Sequence, residues 1–230
     1  MSRADLGKDP EEVSKMFDGV AKRYDIINDL LSLGRTKAWR KVATKIISPK
    51  PGMKILDIAA GTGSSSRPLK DAGADVIPLD FSKGMLEAGK QRNPDLPFTQ
   101  GDALNLPFKE NEFDVTTISF GLRNTNNIEK ALSEALRVTK SGGRIVVVEF
   151  SHPTNKIFRT IYMKYLMRAL PKIARATSSN PAAYVYLAES IMAWPNQKDL
   201  AAILAKVGWS RVEWHNATFG ITAIHVGHKA

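Results

Sequence analysis

Between residues 53 and 150, short apolar runs alternate with stretches whose apolar positions recur every three or four residues. "MKILDIA" reads as a strand, "SSSRPLKDA" as a helix, "DVIPLD" as a strand and "KGMLEAGKQR" as a helix capped by Ser82. "PFTQGD" is a short strand, "FDVTTISF" a strand, "NIEKALSEALRVTK" a helix closed by Gly142 and Gly143, and "RIVVVEFS" a strand. Alternation at this spacing predicts right-handed βαβ units and a parallel sheet. The end of the chain differs. After the helix "QKDLAAILAKVG", the strands "SRVEWHNAT" and "GITAIHVGHK" are separated only by a tight turn, and such a turn joins only antiparallel strands. The expected fold is α/β, with a mostly parallel sheet and one antiparallel C-terminal strand.

Two regions lie outside this alternation. Near the N-terminus, Asp9 suits an N-cap, Pro10 the first helical position, and Glu12 stands three residues after the cap. Val13, Phe17, Val20, Ala21 and Tyr24 then share one helical face, and a second helix is expected from Thr36 to Ile47. A long insert separates Ser151 from Trp194; within it Phe158, Ile161, Tyr162, Tyr165, Leu166 and Leu170 recur at helical spacing. The expected organisation is an N-terminal helical cover (1–50), a core (51–151), a helical insert (152–195) and a C-terminal helix with a strand pair (196–230) that completes the core sheet.

Composition narrows the function classes. The chain has 230 residues, 43% hydrophobic and 24% charged, an ordinary globular balance. It has no cysteine, which removes disulfides, thiolate nucleophiles and thiolate metal sites together and fits a reducing compartment. The polar opening "MSRADLGKDPEEVSKMF" does not resemble a signal peptide, and no apolar run reaches bilayer length, so a cytoplasmic protein is expected. The net charge of +10 sits in the flanks: 11 Lys/Arg against 7 Asp/Glu in residues 1–50, 12 against 13 in 51–150, and 10 against 3 in 151–230. A near-neutral core argues against a nucleic-acid enzyme. Six basic residues and no acid lie between Phe150 and Ala188. A basic amphipathic helix there suits a membrane surface or a partner helix, and equally a helix packed on the sheet with its charges in water. The four histidines show no metal-ligand spacing, no metal is implied, and His225 and His228 are expected at the surface.

Candidate chemistry gathers at strand ends. "ILDIAAGTG" places Asp57 in a strand and Gly61, Thr62 and Gly63 in a turn before a helix, where backbone amides approach a ligand. A dinucleotide fingerprint wants a third glycine where Ser66 stands, which lowers the odds of a nicotinamide cofactor. Asp80, followed by Phe81, ends the second strand, where a carboxylate holds a ribose diol; a capping role explains it equally. Asp102 and Ala103 follow the third strand, where a carboxylate and a backbone N–H read the edge of adenine; the alternative is an Asx-turn. The fourth strand ends in "ISFGLRN", presenting Ser119, Arg123 and Asn124. Arg123 is either a cation for an anionic substrate or a partner in a salt bridge. All four stretches fall at strand carboxyl ends, where open α/β sheets bind ligands.

This constellation resembles the class I S-adenosylmethionine-dependent methyltransferases, a Rossmann-like fold with a seven-stranded sheet and an antiparallel last strand. "FDGVAKRYDIINDLLSLGRTKAWRK", "LDIAAGTG", "FDVTTISFGLRN", "ALRVTKSGGRIVVVEFS", "YLAESI" and "GITAIHVGHK" are similar to the ubiquinone/menaquinone biosynthesis C-methyltransferase family over nearly the whole chain. The chain departs from that family in having Ala60 for a glycine and Ser64 for an acid. The resemblance implies S-adenosyl-L-methionine as cofactor, with the family's contacts falling on Thr62, Asp80, Asp102, Ala103 and Ser119; Asp57, Gly61, Gly63 and Phe81, from the same stretches, complete the candidate cofactor set. It implies C-methylation of a lipophilic polyprenyl quinol, with a lean towards demethylmenaquinol and a benzoquinol left open. Arg123 and Asn124 would stabilise a phenolate and Tyr24 would orient the ring; Tyr24 fits a helix core equally well. Peripheral contact with the inner face of the membrane follows from such a substrate, nucleic acid does not, and a homo-oligomer stays open. The competing readings are a nucleic-acid methyltransferase, a non-catalytic cofactor-binding protein and an NAD oxidoreductase.

Overall fold

The computed structural model describes residues 7–19, 34–169 and 181–230. Seven strands form one sheet: β1 (Lys54–Ile58), β2 (Asp75–Asp80), β3 (Thr99–Gln100), β4 (Phe113–Ser119), β5 (Thr139–Phe150), β6 (Ser210–Ala217) and β7 (Thr222–His228). Their order is β3-β2-β1-β4-β5-β7-β6. All neighbours from β3 to β5 are parallel, and β7 runs antiparallel between β5 and β6. The expected topology is therefore present, including the short β6–β7 turn at Thr218–Gly220.

Among the described residues the helices are α1 (Pro10–Asp18), α2 (Arg35–Ile47), α3 (Ser66–Asp71), α4 (Lys83–Arg92), α5 (Ile128–Val138), α6 (Lys156–Lys164), α7 (Pro181–Met192) and α8 (Gln197–Val207). Local chemistry sets their ends. The Asp9 side chain accepts from the amides of Glu11 and Glu12, and Asn196 caps α8 in the same way. Gly208, at φ 118°, closes α8 in the left-handed region.

One boundary differs from the sequence expectation. α5 stops at Val138, and Thr139 already pairs with Phe113 in the sheet. The Thr139 hydroxyl donates to the Ala135 carbonyl at 2.7 Å, and its β-branched side chain suits the strand. Gly142 and Gly143 therefore lie within β5 rather than at a helix end.

Alternate strand residues feed two cores. Leu56, Ile58, Ile118 and Val147 pack with Leu132 of α5 and Leu204 of α8, whereas Ile55, Val76, Val146 and Ile224 pack with Ala43 and Ile47 of α2 and Leu69 of α3. Both faces of the central strands are thus apolar, as a covered parallel sheet requires. The same topology corrects the expectation for His225. It lies on β7, which is interior to the sheet, and is buried, with Nε2 sharing a hydrogen bond with the Gln197 carbonyl at 2.8 Å. Burial lowers its pKa. The chain leaves β1 for β2 on one side and reaches β4 on the other, so the carboxyl ends of β1 and β4 flank a topological switch point.

Candidate active site

A cavity of about 670 Å³ opens at that switch point. The loops after β1, β2, β3 and β4 wall one side, and α1, α2, α6 and α7 wall the other. Gly61, Thr62, Asp80, Phe81, Asp102, Ala103, Ser119, Arg123 and Asn124 all line it. Asp57 and Gly63 do not; they stand behind the lining. Tyr24 lies outside the described residues.

The loop after β1 is shaped by backbone geometry. Ala59 and Gly61 have φ of 55° and 57°, and Gly63 has φ of 79°. A Cβ on Gly63 would stand 2.7 Å from the Phe98 ring, so only glycine fits that packing. At the end of β4, a Cβ on Gly121 would meet the Ala59 Cβ at 2.4 Å. The backbone of Gly121 therefore packs directly on the Ala59 methyl at the floor of the cavity. Ala59 and Phe120 hold left-handed conformations (φ 55° and 59°) on either side of this contact, a cost that such sites carry.

Three carboxylates organise the loops after β1, β2 and β3. Asp57 is fully buried and accepts from the hydroxyls of Ser65 at 2.7 Å and Ser66 at 2.6 Å, so it anchors the start of α3 from behind. Burial pushes its pKa up to about 6, against the lowering effect of those two hydrogen bonds. Asp80 accepts from the Gly61 amide at 2.7 Å through Oδ2 and from the Ser82 amide at 2.8 Å through Oδ1. It ties the first loop to the second, and burial raises its pKa too. Asp102 accepts from the Leu104 amide at 2.8 Å, an Asx-turn that presents Ala103 at the lining. The turn role considered for Asp102 is thus present, whereas the cap of α4 is Ser82 and not Asp80, which accepts from the Ser82 amide; both carboxylates also line the cavity.

Arg123 is 4% exposed and pairs with Glu149, 1% exposed, at 2.9 Å. The same nitrogen donates to the Phe120 carbonyl, the Arg123 amide reaches the other Glu149 oxygen at 3.3 Å, and the guanidinium sits 5.2 Å from the centre of the Phe150 ring. The salt bridge weighed for Arg123 therefore exists, but the arginine lines the cavity and the glutamate lies behind it. Asn124 accepts from the Tyr186 hydroxyl at 3.3 Å. Trp39, Phe120 and Phe150 form an aromatic cluster beside the pair, with ring centres 5.1 to 6.0 Å apart.

Sequence reasoning did not single out Glu149, Tyr186, Trp39 or Lys8, which complete or line this site. Only Glu149 carried a signal: a lone carboxylate in the apolar run "IVVVEF", one residue past the Ser119–Val148 pairing. The others come from covers whose docking a strand pattern does not encode.

Comparison with known proteins gives a consistent result. A model described as the ubiE/COQ5 methyltransferase family matches residues 5–229. The demethylmenaquinone methyltransferase of Streptomyces avermitilis is 60% identical over 230 residues, covering 100% of both chains. That of Renibacterium salmoninarum is 58% identical over 229 residues, covering 100% of this chain and 97% of its own. Among solved structures, a SAM-dependent methyltransferase from Thermotoga maritima superposes with a TM-score of 0.69 at 19% identity, covering 95% of this chain and all of its own, which speaks to the fold.

Proposed function

Because this chain belongs to the ubiE/COQ5 methyltransferase family, we propose that it uses S-adenosyl-L-methionine to methylate a ring carbon of 2-demethylmenaquinol. The observation that carries the proposal is the 60% identity, without a gap in coverage, to a protein of that activity.

The residues present fit the cofactor. Glycine at 61, in a left-handed turn, and at 121, where no Cβ fits, leaves backbone rather than side chains at the cavity floor. Asp80 keeps further acceptor lone pairs for two ribose hydroxyls, Asp102 with the Ala103 amide suits the adenine edge, and Gly61 and Thr62 suit the methionine end. When bound, the cofactor supplies an electrophilic methyl on a positively charged sulfur.

The protein's task is to make a ring carbon nucleophilic. The residues around the ring would hold the quinol oxygen as an anion once its proton has passed to water, so that the ring carbon could take the methyl the cofactor would supply; the ring hydrogen would then leave as a proton and the oxygen regain one, a net release of one proton. A phenol titrates near ~10, so ionisation near neutrality asks for roughly 3 units, or about 4 kcal/mol. Arg123 stabilises the oxyanion by charge and hydrogen bonding, and Asn124 adds a donor. Glu149 weakens this field. A guanidinium about 4 Å from the oxygen contributes about 4.2 kcal/mol at an effective dielectric of 20, and a carboxylate about 3 Å farther back removes about 2.4, leaving about 1.8.

Substrate access supports a lipophilic tail and a lipid surface. Ile157 (75% exposed), Ile161 (59%) and Phe219 (75%) form an apolar rim, and Ile161 and Phe219 also line the cavity. Lys156 and Arg159 stand on the same helix, α6. No helix among the described residues is long and apolar enough to cross a membrane. We assign this rim to peripheral contact with an anionic bilayer. Flotation with anionic liposomes should weaken as salt rises; binding that ignores salt, or none at all, contradicts the assignment.

Purified protein supplied with labelled methyl donor and both reduced quinone types tests the substrate. Transfer to demethylmenaquinol supports the proposal. Transfer only to a benzoquinol overturns the ring assignment, and transfer to neither overturns the activity.

A further inference from the structure

The Arg123–Glu149 pair leaves a deficit: its charges cancel at long range, while the reaction proposed above needs a net cation beside the quinol oxygen. Lys8 brings a further cation to the same cavity. It immediately precedes the Asp9 cap of α1, holds a left-handed φ of 55°, is half-buried and lines the same cavity as Arg123. Burial, then repulsion from Arg123, lowers its pKa, and attraction to Glu149 opposes them, so the three groups share one field. Their formal charges leave one positive charge, and Glu149 is already bonded to Arg123.

Among the described residues, other charged and titratable groups also line the cavity, Asp80 and Asp102 at the strand ends and Tyr186 on α7 among them. Arg35 and Arg40 line the cavity from α2, and the Arg40 charge acts on Asp57, at the cofactor loop. Burial raises the pKa of Tyr162 and of Tyr165, which keeps both neutral.

The position of Lys8 is also held. At the far end of α1, Asp18 accepts from the Ser82 hydroxyl at 2.5 Å and from the Gly84 amide at 2.9 Å. A Cβ on Gly84 would stand 2.9 Å from that same carboxylate oxygen, so the absence of a side chain there permits the approach. Ser82 in turn donates its amide to Asp80. One short helix thus connects the cofactor-side loop to the lysine.

We propose that Lys8 is a catalytic residue of the N-terminal cover, its ammonium supplying the net positive charge that holds the quinol oxygen as an oxyanion beside Arg123. The hydroxyl proton goes to water, and Lys8 keeps its own protons throughout. This inference rests on the quinol-methylation reading. It adds that the charge array is complete only with α1 seated on the core.

The test compares wild type, Lys8→Met and Lys8→Arg in turnover of demethylmenaquinol across pH, with calorimetric affinity for S-adenosyl-L-methionine alongside. Lys8→Met should lower kcat at pH 7 about tenfold and move the acid limb of kcat up by about one unit, so the loss shrinks in alkali. Lys8→Arg should keep the wild-type limb, and cofactor affinity should not change. A Lys8→Met profile that overlays wild type overturns the proposal. So does an equal loss at every pH shared by Lys8→Arg, which marks a structural role. The ionisation of 4-methoxy-1-naphthol bound with S-adenosylhomocysteine, followed by absorbance, separates the two layers. A bound pKa higher in Lys8→Met than in wild type supports the lysine even if demethylmenaquinol is not the substrate, and an unchanged pKa removes its role.

Discussion

Replacing Arg123 by alanine separates its pairing with Glu149 from the role proposed for it at the quinol oxygen. Glu149 is 1% exposed and loses its ion-pair partner at 2.9 Å. Breaking a buried pair from one side costs about 3–5 kcal/mol. At roughly 2–4 °C per kcal/mol for a domain of this size, the melting temperature should fall by about 6–20 °C. Turnover falls for another reason. Losing a guanidinium contribution of about 4 kcal/mol at the quinol oxygen is about a thousandfold. Adding Glu149→Gln removes the orphaned charge, so the double variant should regain most of the lost stability. It also removes the opposing field of about 2.4 kcal/mol, so turnover should rise about fiftyfold from the single variant yet stay about twentyfold below wild type. Thermal melts and single-turnover methyl transfer measure the two quantities. A double variant with full wild-type turnover would show that Arg123 is only a counter-ion for Glu149, and the reasoning would fail. A single variant within threefold of wild type would refute it as directly.

Other perturbations follow from the same geometry. The Asp57 carboxyl titrates at about 6 in the folded chain, above its ordinary value of 3.8, so the folded state holds the proton longer and loses stability as pH rises between those values. Asp57→Asn should abolish that loss of about 3 kcal/mol, making the variant the more stable protein at pH 8 but not at pH 3; denaturant titrations that fail to diverge with pH contradict this. Gly121→Ala forces a Cβ to within 2.4 Å of the Ala59 Cβ, and should cost about 1–3 kcal/mol together with cofactor affinity, read by melting and calorimetry. Asp18→Ala removes the bonds to Ser82 and Gly84, and should raise KM for quinol about tenfold, or about 1.4 kcal/mol, more than it weakens cofactor binding. An unchanged KM would mean that α1 is seated by its apolar face alone.

The sheet was legible in the sequence because its signals are local. Apolar runs between helical stretches mark βαβ units, and a strand pair with no room for a crossover betrays the antiparallel β7. The end of α5 was not legible: Gly142 and Gly143 look like a helix stop, whereas Thr139 leaves the helix through a tertiary pairing with Phe113. His225 was misplaced because nothing local marks the C-terminal strand as interior, and only strand order puts it between β5 and β6. In the site, the residues at strand ends could be named because topology alone brings them together. Lys8 could not, and Glu149 showed only as a lone carboxylate in an apolar run, with nothing to tie it to Arg123. Glu149 pairs with Arg123 across a strand boundary and Lys8 arrives on a docked helix, and both relations are long in sequence and short in space.

The central claim is that this site ionises a reduced ring and directs methyl transfer to carbon. The most direct measurement offers purified protein labelled methyl donor with demethylmenaquinone in its reduced and oxidised forms, and locates the label by mass spectrometry. The account predicts one labelled methyl on a ring carbon, from the reduced form only, with a rate that rises with pH as the hydroxyl ionises. Equal transfer to the oxidised ring, or label on oxygen, would contradict it.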